Sequence, residues 1–392
     1  MSYNDGISRR QFVKIGSGAA AVALVAGVTG CASQSTSASA SASASASESA
    51  SAESASSSEA ASSASTASSG GTVTQSIVDL KGDTVEVPTE INTIVDLWHA
   101  HNQVIMMLGA ADKLVGTTEV FKKRPWPNVI YPRLSEVEAL FVGTGAGEVN
   151  YEEALSLQPD VVFASDPDVT ATARKQGLTT VNVAFQDYDG LREDVRVTAQ
   201  ILGSEAEDIA KEWQDYLDAN IKLVEERMKD IKDENRVKVL HIASSDSFTK
   251  VDGTKCIVDE WIKLAGGVNA LDKEGNLIEV TMEEIVAADP EVIIMGVGAA
   301  SAVEQLLADD AWSGITAVKN KAVYANPNGV FSWDRYSGEE ALQVLWAAKK
   351  YNPDKFEDVD IEQETKNFYL GFYGYELSDE QTKQILNGEN PS

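Results

Sequence analysis

An internal repeat constrains the fold of this chain more than any other feature. The segments VNYEEALSLQPDVVFAS (149–165) and VTMEEIVAADPEVIIMG (280–296) match almost position for position. Each has a polar start, a Glu-Glu pair, a short amphipathic stretch, a Pro-Asp or Asp-Pro stop and a β-rich apolar run. A unit that occurs only twice does not indicate a solenoid. The repeat therefore predicts two similar α/β lobes, each with a mainly parallel, Rossmann-like sheet fed by helix–strand units.

A long helical stretch separates the two copies of the repeat. Residues 188–203 end at a glycine, and residues 205–232 then continue without Pro or Gly. Apolar side chains recur along the second segment at helical spacing: Ile209, Trp213, Leu217, Ile221, Val224 and Met228. We expect a long rigid helix that joins the lobes and restricts their relative motion. The predicted limits are residues 76–190 for the N-terminal lobe, 191–234 for the bridging helix and 235–392 for the C-terminal lobe.

The first residues predict export and lipid attachment. Arg9 and Arg10 precede a modest apolar run, Ile15 to Val28, which is too short and too rich in Ala and Gly to span a bilayer stably. The run ends in VTGC, a lipobox-like sequence that predicts a twin-arginine lipoprotein signal at 1–30 and a lipidated Cys31; the alternative is a plain membrane anchor with a chance cysteine. Residues 31–75 are Ser/Ala-rich and predict a disordered linker.

Charge and motifs exclude several functions. The chain carries 61 acidic and 32 basic residues, a net charge of −29, which argues against nucleic acid or anionic lipid as a partner. It has no P-loop, no nucleophile elbow and no serine–histidine–acid arrangement, so we expect no catalytic activity and no intrinsic cofactor. If Cys31 is lipidated, Cys256 has no intrachain disulfide partner and is expected to pack in a core.

The chain resembles a known family in several ordered segments. These are IMMLGAADKLVGTT, NYEEALSLQPDVVFAS, LAGGVNAL, TMEEIVAADPEVII and WSGITAVKNKAVYANP, and the resemblance extends from about residue 78 to residue 351. They resemble the substrate-binding proteins of ABC importers, in the helical-backbone class III group that handles ferric siderophores, haem and cobalamin. The resemblance implies a monomeric protein outside the cytoplasm, tethered to the outer face of the membrane, that works with a permease dimer and its ATPase.

Candidate ligand contacts lie in the strand-to-helix loops, because ligands of open α/β sheets gather at the carboxyl ends of the strands. Two facing lobes would form a cleft between these loops. Arg124 and Arg335 stand out in an acidic chain, since guanidinium forks suit carboxylate, catecholate or phosphate groups. Aromatic rings suit the flat faces of a large chelate. The predicted contacts are Trp98, His99, His101, Asn102, Arg124, Trp126, Phe248, Trp333, Arg335 and Tyr336; the alternatives are a solvated turn for Arg124 and a structural ion pair with Asp334 for Arg335.

His99 and His101 raise the question of a metal site. Two histidines are too few for a zinc or iron site built from protein alone, and His241 in an expected strand is better explained as a core residue. A neutral imidazole near a helix start can complete the coordination of a metal that arrives with its own chelator. Ordinary packing is the alternative.

The repeat places Glu152 and Glu283 at equivalent positions. Acids at a helix start are favoured by the helix dipole, which is enough to explain them. The family resemblance implies a further role, in which acids at the two lobe tips pair with arginines of the permease.

The sequence thus predicts a solute-binding protein that captures an iron complex, either a ferric siderophore or haem or cobalamin, and passes it unchanged to a permease. A small nickel or other metal chelate is the alternative ligand. An exported redox enzyme with a bound cofactor, and a tethered sensor or adhesin, are the alternatives from other classes.

Overall fold

The computed structural model describes residues 73–143, 147–296 and 300–392. The predicted export signal with Arg9 and Arg10, the lipidated Cys31 and nearly all of the linker lie outside the described residues. Within them, no helix is both long and apolar enough to cross a bilayer. The strands are β1 (Thr74–Val78), β2 (Thr84–Pro88), β3 (Ile94–Asp96), β4 (Leu114–Thr118), β5 (Glu138–Val142), β6 (Glu148–Val149), β7 (Val161–Ala164), β8 (Thr180–Asn182), β9 (Val237–Ile242), β10 (Lys250–Asp252), β11 (Gly267–Asn269), β12 (Ile278–Glu279), β13 (Val292–Met295) and β14 (Val323–Ala325).

Helices connect most of these strands, as the alternating pattern predicts. They are α1 (Asn102–Met107), α2 (Glu119–Lys122), α3 (Pro125–Ile130), α4 (Tyr151–Ser156), α5 (Pro167–Lys175), α6 (Tyr188–Leu202), α7 (Ser204–Met228), α8 (Ile257–Leu264), α9 (Met282–Ala288), α10 (Ala300–Ala308), α11 (Thr316–Lys319), α12 (Glu340–Tyr351), α13 (Ile361–Phe368) and α14 (Asp379–Leu386), with a π-helical turn at Tyr369–Tyr373.

Each lobe is built on a six-stranded sheet. The N-terminal sheet has the order β6-β5-β4-β3-β7-β8 and is parallel except for β6. The C-terminal sheet has the order β12-β10-β9-β13-β14, with β11 pairing in parallel with β9. Central strands such as β7 and β13 are buried at every position, which explains their unbroken apolar sequences. The predicted class, two α/β lobes with mainly parallel sheets, is confirmed.

The repeat forms the same unit in both lobes. Asn150 caps α4 by accepting from the N–H of Glu153, and Thr281 forms a capping box with Glu284 at the start of α9. The strand that follows each helix, β7 or β13, pairs in parallel with the first strand of its main sheet. The sequence match therefore reflects equivalent positions in two sheets.

The bridge between the lobes consists of two helices. α6 ends and α7 begins at Gly203, whose φ of +100° suits a residue without a Cβ. α7 has 25 residues and buries five of the six side chains of its predicted apolar stripe, including Trp213 and Leu217, while Ile221 is half-buried. The main sheets draw their strands from residues 94–182 and 237–325, on either side of this bridge. The described residues of both lobes belong to one compact unit, so the lobes pack against each other.

Candidate ligand-binding site between the lobes

A cavity of about 290 Å³ lies between the lobes at the carboxyl ends of the strands. The N-terminal lobe lines it with the segment that follows β4, and the C-terminal lobe with the residues that follow β13 and β14. The chain's last residues complete the wall. The lining residues are Val120, Lys123, Arg124, Pro125, Trp126, Gly296, Asn326, Asn328, Gly329, Ser332, Gly388 and Asn390.

Arg124 joins the two lobes across this cavity. Its Nη2 donates to Asn328 Oδ1 at 2.6 Å, and Ser332 Oγ lies 3.5 Å from the same nitrogen. The guanidinium stacks over the Phe331 ring, 4.2 Å from its centroid. Burial lowers the pKa of Arg124, but Glu339 and other neighbours oppose this shift, so the group keeps its charge. A fixed cation with polar neighbours is thus held at the cavity wall.

The cavity lining differs in charge from the rest of the chain. Lys123 and Arg124 supply two positive charges, and Asn326, Asn328, Ser332 and Asn390 supply amide and hydroxyl groups. Among the described residues that line it, none is an aspartate or a glutamate, although acids outnumber basic residues 61 to 32 in the whole chain. The lining is therefore suited to an anion.

His99 lies beside the arginine. Its ring is 5.7 Å from that of Phe331, the same ring on which Arg124 stacks. Burial, and then the charge of Arg124, lower the pKa of His99 to about 4. The imidazole is therefore neutral near pH 7 and can coordinate a metal or accept a hydrogen bond.

His101 occupies a different environment from His99, so the two do not form one site. It is fully buried, with Nδ1 2.7 Å from Asp96 Oδ2 and Nε2 2.9 Å from Thr198 Oγ1. Burial alone would lower the pKa of His101, but the carboxylates of Asp96 and Asp194 raise it. Both ring nitrogens are occupied inside the N-terminal lobe, so the geometry corresponds to the packing alternative and not to a ligand contact.

Single alanine substitutions should separate the two histidines. We expect His101→Ala to lower the free energy of unfolding by about 3 kcal/mol, because it leaves buried carboxyl groups without their partner. His99→Ala should leave stability within about 1 kcal/mol of wild type and change ligand affinity instead. Urea unfolding and ligand titration of both variants test this, and equal stability losses would contradict it.

Three further predicted contacts have partners within the lobes. Asn102 is buried and donates to the carbonyl of Trp98 at 2.9 Å. Phe248 packs edge-on against Trp312 in the small core of the C-terminal lobe, and it is not among the residues that line the cavity. Trp333 is fully buried, and its indole donates to Glu339 Oε1 at 3.1 Å.

Trp98 and Tyr336 bring the lobes together through aromatic contacts. The Trp98 ring packs 5.7 Å from that of Tyr336 and 5.3 Å from that of Phe185. The Tyr336 hydroxyl donates to Gln186 Oε1 at 3.2 Å. Trp126 is also buried, lines the cavity and donates its indole N–H to the Glu389 carbonyl at 2.8 Å. Of these three residues, Trp126 alone is among those that line the cavity.

Arg335 belongs to a buried ionic cluster behind the cavity. Its Nη2 lies 2.7 Å from Asp252 Oδ2 and its Nε 3.2 Å from Asp334 Oδ2, while His241 contacts the same two carboxylates at 2.7 and 3.1 Å. Against the effect of burial, both acids raise the pKa of Arg335. A Cβ on Gly296 would overlap the His241 ring and lie 2.6 Å from Asp334 Oδ2. The His241 ring and the Asp334 carboxylate of this cluster thus pack directly against Gly296, which is a residue of the cavity wall.

Several cavity residues have no distinctive local sequence pattern. Asn326 follows β14 and is buried, and Gly388 and Asn390 come from the end of the chain. Asn328 and Ser332 lie in the segment between β14 and α12. Within 73–143, 147–296 and 300–392, no group of three or more His, Cys, Asp or Glu side chains is arranged to hold a metal ion.

The acids of the repeat lie on the surface. Glu152 and Glu283 are both exposed, in the first turns of α4 and α9. Neither is needed for the cap of its helix, because Asn150 and the Thr281–Glu284 box supply it.

Comparisons with known proteins agree with this architecture. Residues 94–329 match the family model described as periplasmic binding protein. The molybdate-binding protein MolA of Haemophilus influenzae is 28% identical over 76% of this chain and 90% of its own length. The Fe(3+)-citrate-binding protein YfmC of Bacillus subtilis is 25% identical over 54% of this chain and 66% of its length.

A solved structure of a binding protein superposes on this chain. The crystal structure of a periplasmic solute binding protein from Veillonella parvula superposes with a TM-score of 0.70 at 27% identity, covering 80% of this chain and 97% of that one. All of these matched proteins are described as binding proteins. The chain therefore belongs to the periplasmic binding protein family, as a substrate-binding protein of the ABC-importer type and not an enzyme.

Proposed function

We propose that this protein captures a compact anionic ligand outside the cytoplasm and delivers it to an ABC permease. The observation that carries the proposal is the lining of the cavity between the lobes. It combines Arg124 and Lys123 with amide and hydroxyl groups and, among the described residues, contains no acid. A buried guanidinium with polar neighbours recognises oxygen anions by charge-assisted hydrogen bonds.

The size of the cavity narrows the ligand class. Its volume of about 290 Å³ lies just below the range of roughly 300–1,000 Å³ that is typical of sites for organic ligands. An oxyanion or a small anionic metal chelate fits such a space better than the haem or cobalamin macrocycle. The molybdate-binding relative supports an oxyanion, and the relative that binds Fe(3+)-citrate supports a small ferric chelate.

A ferric siderophore is the second candidate ligand. His99 favours it, because a neutral imidazole beside the Phe331 ring could complete the coordination of a chelated iron. The same argument applies to a small nickel chelate. In this arrangement Arg124 would contact the carboxylate or catecholate groups of the chelator.

A ligand titration tests the proposal. The mature protein is titrated with molybdate, ferric citrate, a ferric siderophore, nickel–histidine, haem and cobalamin, and tryptophan fluorescence is followed. Trp126 lines the cavity, so saturable binding of a compact anion should change its emission. Binding of haem or cobalamin alone would refute the compact-anion class. A stoichiometric redox cofactor in the purified protein, with no binding of any probe, would refute the transport function.

Docking to the permease is the second part of the proposal, and it predicts the effect of charge reversal. Glu152→Arg combined with Glu283→Arg should reduce ligand uptake by cells by about tenfold or more. The reason is that each new arginine would face an arginine of the permease, so that like charges repel at both contacts. Ligand affinity of the purified protein should not change, since both acids are exposed and neither lines the cavity.

A matched variant controls for surface charge. Glu362→Arg combined with Glu380→Arg makes the same change in net charge at two exposed acids near the carboxyl terminus. It should leave uptake unchanged. Normal uptake by the Glu152/Glu283 variant, at equal expression, would rule out the docking role.

Export and anchoring rest on the sequence alone. We propose that the twin-arginine signal is cleaved and that the mature chain begins at a lipidated Cys31. Mass spectrometry of the amino-terminal peptide tests this, and an unmodified Cys31 would refute it.

A further inference from the structure

A buried carboxylate lies beneath the loop that forms one wall of the cavity. Glu339 immediately precedes α12 and is fully buried. Its oxygens accept hydrogen bonds from the backbone N–H of Val330 at 3.3 Å and of Phe331 at 2.8 Å. They also accept from the indole of Trp333 at 3.1 Å and from the hydroxyl of Tyr369. The carboxylate of Glu339 thus accepts hydrogen bonds from three residues of the loop at 330–333 as well as from Tyr369.

The loop backbone rests directly on the Glu339–Tyr369 pair. A Cβ on Gly329 would overlap both the Tyr369 hydroxyl and a Glu339 oxygen, so a glycine is required there. Asn328 and Ser332 flank this contact and line the cavity. The position of both cavity residues therefore depends on the pair beneath them.

The same carboxylate is connected to the cation of the cavity through Phe331, whose N–H donates to Glu339 at 2.8 Å and whose ring centroid lies 4.2 Å from the Arg124 guanidinium. Burial lowers the pKa of Arg124, and Glu339 is the strongest of the neighbouring charges that raise it, ahead of Asp334 and Tyr369. The positive charge of Arg124 attracts both the Glu339 carboxylate and an anion that enters the cavity, so the two negative groups compete for the same cation. Ligand binding and the charge of Glu339 are consequently linked.

We propose that Glu339 and Tyr369 are the positioning pair of the ligand site, which hold the 328–332 loop and couple anion binding to proton uptake at Glu339. The coupling rests on the anionic ligand class proposed above, whereas the positioning of the loop does not. Neither residue touches the ligand in this account; both act through the loop and through Arg124.

The electrostatics of Glu339 support this coupling. Burial raises the pKa of Glu339 to about 7, against the hydrogen bonds from Tyr369, Phe331, Trp333 and Val330, which lower it. The group is therefore partly ionised at neutral pH. An anion near Arg124 raises the pKa further, because it disfavours a second negative charge nearby.

The neighbouring titratable groups differ from Glu339 in their charge behaviour. Tyr369 and Tyr373 have pKa values raised well above the ordinary value, mainly by burial, and stay neutral. The pKa of Asp334 is lowered despite burial, chiefly by Arg335, and this acid stays ionised. His99, with a pKa of about 4, is neutral. Glu340, the next residue, is buried with a raised pKa, so a separate variant must test it.

A pH series with defined variants tests the proposal. Molybdate binding to the whole mature chain is measured by calorimetry at pH 6, 7 and 8. If binding raises the pKa of Glu339 by one unit, the association constant falls about fivefold from pH 6 to pH 8. Glu339→Gln should abolish this slope, the dependence of the association constant on pH, and Glu340→Gln should keep it. Tyr369→Phe should keep a slope with its midpoint at higher pH, because a donor to the carboxylate is lost.

A second Glu–Tyr pair provides the matched control. Glu364 accepts a hydrogen bond from the Tyr216 hydroxyl at 3.1 Å, and neither residue lines the cavity. Glu364→Gln and Tyr216→Phe should keep the wild-type slope and affinity. Thermal unfolding of each variant shows that it is folded.

Hydrogen exchange tests the positioning role without any ligand. The Val330 and Phe331 amides should exchange faster in folded Glu339→Gln than in wild type or in Glu364→Gln. Wild-type exchange together with the wild-type pH slope in Glu339→Gln would overturn the proposal. If the wild-type chain bound neither molybdate nor ferric citrate, the proposed ligand class would fail, and the exchange rates would still decide the role of Glu339.

Discussion

Replacing Arg124 by alanine should weaken ligand binding more than any other single change in the cavity. The guanidinium is held between Asn328 and the Phe331 ring and is the buried cation of the lining. Truncation of one partner of a buried, hydrogen-bonded charge pair costs about 2–5 kcal/mol. A loss of about 3 kcal/mol corresponds to a dissociation constant raised roughly 150-fold. Calorimetric titration with molybdate and ferric citrate measures this change.

Two further variants show whether the geometry or the charge of Arg124 is responsible for the loss of ligand affinity. Arg124→Lys keeps the positive charge but loses the planar fork, and we expect it to recover only part of the affinity. Lys123→Ala removes a side chain that is 72% exposed and paired with Glu119, so its effect should stay within about fivefold. Equal losses for Lys123→Ala and Arg124→Ala would show that only the total charge of the cavity matters.

Replacing Asp252 by alanine should produce the largest loss of stability. Its carboxylate is buried, contacts His241 Nδ1 and Arg335 Nη2 at 2.7 Å each, and accepts from the N–H of Leu277 at 2.8 Å. Removing one partner of such a buried cluster costs about 3–5 kcal/mol, since the remaining charges lose their compensation. Urea unfolding measures the change. Asp246→Ala, at an exposed position of the same lobe, should have an effect below about 0.5 kcal/mol.

The pH dependence of this loss follows from the pKa shifts of the cluster. Against burial, Asp252 and Asp334 raise the pKa of His241, so its stabilisation is complete below the ordinary value of 6.5 and is lost as pH rises through the raised value. Against burial, His241 and Arg335 lower the pKa of Asp252, so its stabilisation is present above the ordinary value of 3.8 and is lost as pH falls through the lowered value. The difference in the free energy of unfolding between wild type and Asp252→Ala should therefore be largest from about pH 4 to 6.5.

Affinity should also respond to this substitution, because Gly296 connects the cluster to the cavity. The ring of His241 and the carboxylate of Asp334 leave no room for a side chain at Gly296, which lines the cavity wall. If Asp252→Ala lost several kcal/mol of stability while binding remained as tight as in wild type at low temperature, the cluster would be structural only.

Local patterns predicted the parts of the fold that depend on neighbouring residues. The repeat correctly predicted the α4–β7 and α9–β13 units. Periodicity also predicted the buried stripe of α7. The two helical segments predicted on either side of Gly203 correspond to α6 and α7.

The histidines show where local reasoning failed. His99 and His101 are two residues apart, yet one lies beside Arg124 and the other inside the core. Asp96, five residues before His101, contacts one of its ring nitrogens, and Thr198, 97 residues further along the chain, contacts the other. No pattern near His101 carries information about that partner.

By itself, the sequence determined the two lobes, the helical bridge between them and the acidic surface, because each follows from periodicity, capping and composition over short stretches of chain. Only the tertiary structure decided which polar groups meet. Arg124 and Asn328 are separated by 204 residues, and Trp126 and Glu389 by 263. The cavity charge, and Glu339 beneath its wall, exist only where packing of the lobes brings distant segments together, since burial sets both the contacts and the pKa values of these groups.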